Sequence, residues 1–104
     1  MDEIAGRLPE KREFSNQINS GFRARVAEGA SFDLSLVKLD DRGSSEAVEN
    51  YSLLFRAPAE APAAQGMYRL EHAELGEMDL FLVPVKKDAA GLYYEAVFNN
   101  FIAR

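Results

Sequence analysis

Along the chain the spacing of apolar residues changes once. Phe14, Ile18 and Phe22 recur every four residues, the interval that places side chains on one helical face, and predict a short helical turn over 14–20 that ends at Gly21. Ser15 or Asn16 is its candidate cap. From Phe22 onward the period is two. Phe22, Ala24 and Val26 alternate with Arg23 and Arg25, which describes a strand with one dry and one wet face. Residues 27–30 supply a hairpin loop with Gly29 available for positive φ. The strand predicted over 31–39 carries Phe32, Leu34 and Leu36 on one face and then changes phase to Val37 and Leu39, as a bulge or burial on both faces would produce.

Residues 40–50 are polar and predict a loop, after which Tyr51, Leu53 and Phe55 alternate as a third strand. The Ala- and Pro-rich stretch 57–64 is excluded from a central ladder, because Pro58 and Pro62 have no N–H to donate. A fourth strand is predicted over 66–72, a turn over 73–77, and a fifth strand over 78–85. Leu80, Phe81, Leu82, Val83 and Val85 make that strand apolar on both faces, while Pro84 predicts a bulge or an unpaired edge within it. The last strand, 93–101, points Tyr94, Ala96 and Phe98 one way and Val97 the other; Tyr93, out of phase with Tyr94, is expected at the surface. The expected fold is therefore all-β: about six antiparallel strands in a strongly curved sheet or small, partly closed barrel, with a short N-terminal helical turn. Residues 1–13, with Ile4 and Leu8 as their large aliphatics and Pro9 set against a helix, are expected to be a flexible lead-in to one domain over 14–104.

Composition narrows the function more than it narrows the fold. At 104 residues, 47% of them hydrophobic, the chain is the size of one domain and rich enough in apolar material to fold alone. Its net charge of −5 repels both a phosphate backbone and an anionic leaflet, so neither nucleic acid nor membrane is an expected partner. The start of the chain lacks the basic-then-apolar layout of a signal peptide, and the cytoplasm is the expected compartment. With no cysteine there are no disulfides, thiolate metal sites or Cys nucleophiles.

Several stretches resemble a family of short bacterial proteins known only as a domain of unknown function. The resemblance rests on Tyr51-Ser-Leu-Leu-Phe55-Arg-Ala-Pro58, Gln65-Gly66-Met-Tyr68-Arg-Leu70-Glu71-His72-Ala-Glu-Leu75-Gly76, Leu80-Phe81-Leu82-Val83-Pro84-Val85 and Tyr94-Glu95-Ala96-Val97-Phe98-Asn99. It covers roughly the last ninety residues, with departures at Ala57 and Ala73 where the family pattern has Gly and Pro. Members similar to this chain are often encoded near phage-tail-collar-like proteins, which implies a structural or accessory role.

His72, the single imidazole, is flanked by Glu71, Glu74, Glu77 and Asp79 and invites a metal or acid–base reading. Glu71 and His72, however, are strand neighbours that point to opposite faces, so a structural histidine is expected. Asp40, Asp41, Glu46 and Glu49 lack the spacing of a calcium loop. Gln65, Gly66, His72, Gly76 and Asn99 are the candidate structural latch residues, with Gly66 and Gly76 expected at positive φ. No catalytic, cofactor or metal residue is expected. The expected function is that of a non-enzymatic structural or protein-interaction module, accessory to a phage-tail-like or other larger assembly. A protein partner or a second copy would dock through Leu82, Pro84, Tyr93, Val97 and Phe101. The alternative is a small-molecule-binding barrel or small enzyme with a cavity near Tyr68 and His72.

Overall fold

A computed structural model describes residues 8–26, 29–43, 45 and 47–101. The period of two after Gly21 becomes six strands: β1 (Gly21–Arg25), β2 (Ser31–Asp41), β3 (Val48–Ala57), β4 (Gly66–His72), β5 (Gly76–Asp88) and β6 (Gly91–Phe101). All ladders are antiparallel, and the order β1-β2-β3-β6-β5-β4 closes on itself through Arg23↔Glu71, Ala24↔Leu70 and Arg25↔Arg69, so the curved sheet is a ring. Closure removes the outer edge strands of an open sheet. The longest ladder, β3 with β6, joins strands distant in sequence, from Val48↔Phe101 to Ala57↔Leu92.

Both irregularities expected from the sequence are present. The β2–β3 register shifts between Leu36 and Lys38, at the phase slip of Val37, and the β5–β6 register shifts between Pro84 and Lys86. Pro84 itself is matched with Tyr94. Because β3 pairs with β6, the chain must cross between ladders to begin β4, and residues 58–65 make that connection outside any strand. Two hydroxyls from inside the ring hold it: Tyr68 Oη donates to the Ala64 carbonyl at 2.6 Å, and Tyr94 Oη donates to that of Pro62.

The core lies inside the ring. Leu34 and Leu36, then Tyr51, Leu53, Phe55, Tyr68, Leu70, Met78, Leu80, Leu82, Tyr94, Ala96 and Phe98 are all buried, every second residue on each strand. Phe22 meets Phe55 edge to face at 5.3 Å, and Tyr51 stacks flat on Phe98 at 4.7 Å. The expectation that β5 is buried on both faces is corrected: Phe81 and Val85 are exposed, because the ring has one interior and nothing described covers its outside.

The helical turn is displaced from the expected 14–20. It forms as α1 (Lys11–Ser15), beginning within the expected lead-in of residues 1–13 and running past its end, with turns over 16–19. The N-cap is Glu10, whose N–H donates to Glu13 Oε1 at 2.7 Å, and not Ser15 or Asn16; Asn16 stands at the other end, as the C-cap. Asn19, at φ 73, turns the chain out of it before Gly21 starts β1. Phe14 is fully buried against Phe98, and Ile18 packs partly on the core, so the four-residue spacing does report a shared face.

Candidate functional site

Two regions carry the residues singled out by the sequence. The first surrounds His72, at the end of β4. Its side chain turns inward and is almost fully buried, with Phe22 at 4.4 Å. Glu71 points the other way and is held by Arg25 at 2.6 Å, so the adjacent acid and imidazole are separated by the sheet, as strand geometry requires. Nδ1 of His72 accepts two backbone N–H groups, from Glu74 at 3.0 Å and Leu75 at 3.1 Å. A nitrogen receiving two donors carries no proton, which leaves the proton on Nε2. Nε2 lies 2.8 Å from Ser20 Oγ, and Ser20 Oγ donates to the Gln17 carbonyl at 2.7 Å. The imidazole is thus neutral, and its tautomer is set by four neighbours. Burial lowers its pKa from 6.5, against the opposing charge of Glu74.

A shallow cleft of about 600 Å³ opens beside this latch, lined by Gly21, Arg23, Asp33, Glu71 and His72 among others. Its charges are committed to one another, Arg23 with Asp33 at 3.1 Å and Arg25 with Glu71. Tyr68 does not line it; that side chain packs among Phe32 and Tyr94 in the core. Among the described residues no group of three or more His, Cys, Asp or Glu is placed to hold a metal ion, and Glu46 lies outside those residues. The other latch candidates divide. Gly76 has φ +82, as expected, but Gly66, which opens β4 opposite Leu82, does not have positive φ. Gln65 and Asn99 are exposed.

The second region is the outer face over β4, β5 and β6. Met67 and Phe81 are direct ladder partners and are 66% and 49% exposed. The β5–β6 ladder ends at Val83↔Glu95; two residues further along each strand come Phe81 and Val97, the latter 62% exposed. Of the residues expected to dock, Val97 is therefore at the surface and Pro84 half-buried. Leu82 is corrected: at 0% exposure it packs inside the ring, in phase with Leu80. Tyr93 is also corrected, since it is buried, with Lys86 Nζ 4.6 Å from its ring centroid. The side chain of Phe101 lies outside the described residues. Sequence reasoning missed Met67 and Phe81 as a pair, although their shared outward phase on strands joined by a short turn was the available signal.

A closed antiparallel ring with an apolar core inside it, a fastened imidazole and an apolar outer patch is the class of protein the fold and its sites define. Residues 9–98 match the family described as Domain of unknown function (DUF6916), and the chain belongs to it. No curated protein and no solved structure matches the chain. No helix among the described residues is long and apolar enough to cross a membrane.

Proposed function

We propose that this protein is a non-enzymatic structural or protein-interaction module of the bacterial cytoplasm, working as an accessory part of a larger assembly such as a phage-tail-like one. The observation that carries the reading is the outward group Met67, Phe81 and Val97 on neighbouring strands of one face. Apolar side chains gathered on an otherwise charged surface favour a contact that removes them from water. The partner suited to this face presents apolar side chains within a basic rim, because Glu77 and Asp79 on β5 share a single guanidinium, that of Arg69.

The experiment is sedimentation at several concentrations together with affinity capture from host lysate, for the wild type and for Phe81→Lys and Val97→Lys. The reading expects a partner, or a second copy, that the wild type retains and both variants lose by at least tenfold. A wild type that stays monomeric and captures nothing, or variants that bind as the wild type does, would overturn it.

A further inference from the structure

One end of the ring is covered by the segment 10–20, and the ties along it differ in kind. Lys11 pairs with Asp41 at the end of β2, and Phe14 is seated on Phe98. Near the other end Asn19 N–H donates to the Leu36 carbonyl at 2.6 Å, and Leu36 N–H donates to that of Ser20 at 3.1 Å, an extension of the sheet. To the end of β4 and the turn after it the segment is joined through side chains: Gln17 Nε2 donates to Glu74 Oε1 at 2.7 Å, and Ser20 Oγ meets His72 Nε2 at 2.8 Å.

We propose that His72 is a proton-operated fastener for this segment: a proton taken up at Nδ1 displaces the turn Ala73–Leu75, moves the Glu74 carboxylate from Gln17 to the imidazolium, and loosens α1 over the end of the ring. The geometry makes the two states exclusive. Nδ1 cannot keep the Glu74 and Leu75 N–H groups once it carries a hydrogen of its own, since donors would then face a donor. The turn has to move, and the carboxylate of the same Glu74 becomes the nearest acceptor for the new N–H. Gln17 Nε2 holds Oε1 of Glu74, so a carboxylate drawn back toward the imidazolium pulls on the tie that joins the turn to the covering segment.

The other charged groups around the imidazole do not compete for this role. Glu71 of β4 is on the opposite face with Arg25 of β1. Arg23 of β1 and Asp33 of β2 line the neighbouring cleft and pair with each other. The covering segment brings only the uncharged Gln17 and Ser20, and β1 brings the Phe22 ring. Glu74 is thus the carboxylate whose charge favours protonation, against burial, which lowers the pKa from 6.5. The sign follows from linkage: the folded form binds the proton less readily than the unfolded chain. The fastening is complete above the usual histidine value and is lost as pH falls below it through the folded value.

The chain has one histidine, so a single imidazole signal reports the state of the fastener. NMR titration of His72 should show the Nε2–H tautomer at neutral pH and a midpoint below 6.5. Amide exchange, corrected for its intrinsic pH dependence, should show protection at Glu74, Leu75, Phe14 and Gln17 falling at least tenfold with that same midpoint, with Leu53 and Phe55 in β3 unchanged. His72→Asn keeps a side-chain acceptor near Nδ1 but cannot titrate, and should abolish the pH dependence. Glu74→Gln removes the charge that favours the imidazolium and should move the His72 midpoint to lower pH, which gives a second reading if His72→Asn fails to fold. Titration of His72 without loss of protection in 14–17, the same loss in His72→Asn, or an unmoved midpoint in Glu74→Gln would each overturn the proposal.

Discussion

The outer surface of the ring has two parts built on the same strands. Over β1, β4 and the start of β5 the outward positions form a grid of matched charge: Arg23 opposes both Asp33 and Glu71, and Arg69 opposes Asp79. Arg25 and Arg69 oppose each other across β1 and β4, but each is drawn to an acid, Arg25 to Glu71 and Arg69 to Asp79 and Glu77. Hydrogen bonding to Arg69 holds the Asp79 carboxyl below its ordinary value. Two residues beyond Asp79 along β5 the outward positions become Phe81, Val83 and Val85, beside Met67 and Val97, with no such matching. The alternation is the same in both parts. What differs is what the outward residues offer one another: charges pair within the chain in the first part, and apolar side chains stay exposed to water in the second.

The largest effect separates the inside of β5 from its outside. Leu82→Ala should destabilise the fold by about 2–5 kcal/mol in urea unfolding, whereas its outward neighbour Phe81→Lys should stay within about 0.5 kcal/mol. Equal losses would mean that the apolar part is not a surface. Next come the glycines that begin the two strands bearing the contrast. A Cβ on Gly91, at φ +148, would lie 2.1 Å from the Ala57 carbonyl oxygen, while one on Gly76, at φ +82, meets open space. Gly91→Ala should therefore lose about 2–5 kcal/mol from crowding and strain together, and Gly76→Ala about 1 kcal/mol from conformation alone.

The charged part should respond to salt and the apolar part should not. A double-mutant cycle on Arg25 and Glu71 is expected to give about 0.2–1 kcal/mol at low ionic strength, shrinking in 1 M salt, and a salt-independent coupling would contradict an electrostatic grid. The smallest expected change is in the interior common to both parts. The Tyr51 hydroxyl is buried with no hydrogen-bond partner among the described residues, and burial, with the charge of Glu49, pushes its pKa up to about 12. Tyr51→Phe should leave stability unchanged or raise it by up to about 1 kcal/mol at neutral pH. An unfolded tyrosine ionises near pH 10, so the wild type should lose stability as pH rises from there through about 12, and the variant should lose less. Clear destabilisation by Tyr51→Phe at neutral pH would show that the hydroxyl has a partner.

Much of this architecture was legible in the residues because local rules decide it. Alternation located the dry face of the strands other than β5, and the change of phase at Val37 and the missing N–H of Pro84 marked the two places where the register shifts, at each of which the residues alone allow a bulge or an alternative to one. The strand over 66–72 is bounded by residues that fit a turn on either side and has the expected limits. Where the reading failed, distant groups intervened. Tyr93 is covered by Lys86 from the strand beside it, and Leu82 is taken inside by a ring whose closure could not be read from β5 alone. The helix starts early because Glu10 and Glu13 cap one another, a pairing hidden within a charged stretch ahead of the first apolar period.

The sequence by itself determined six strands, the inward faces of those that alternate cleanly, the places where two of them are irregular, and an acidic, cysteine-free composition, since each follows from neighbours a few residues apart. Tertiary structure alone decided that β3 would pair with β6 and β1 with β4, because those ladders join segments whose meeting depends on the whole path of the chain. It also decided which outward residues would be matched and which left in water, and which nitrogen of His72 would hold its proton. The physical reason is the same for each: a side chain's face is fixed by its own backbone, but its partners are fixed by whatever strand, turn or strap the closed ring brings against it.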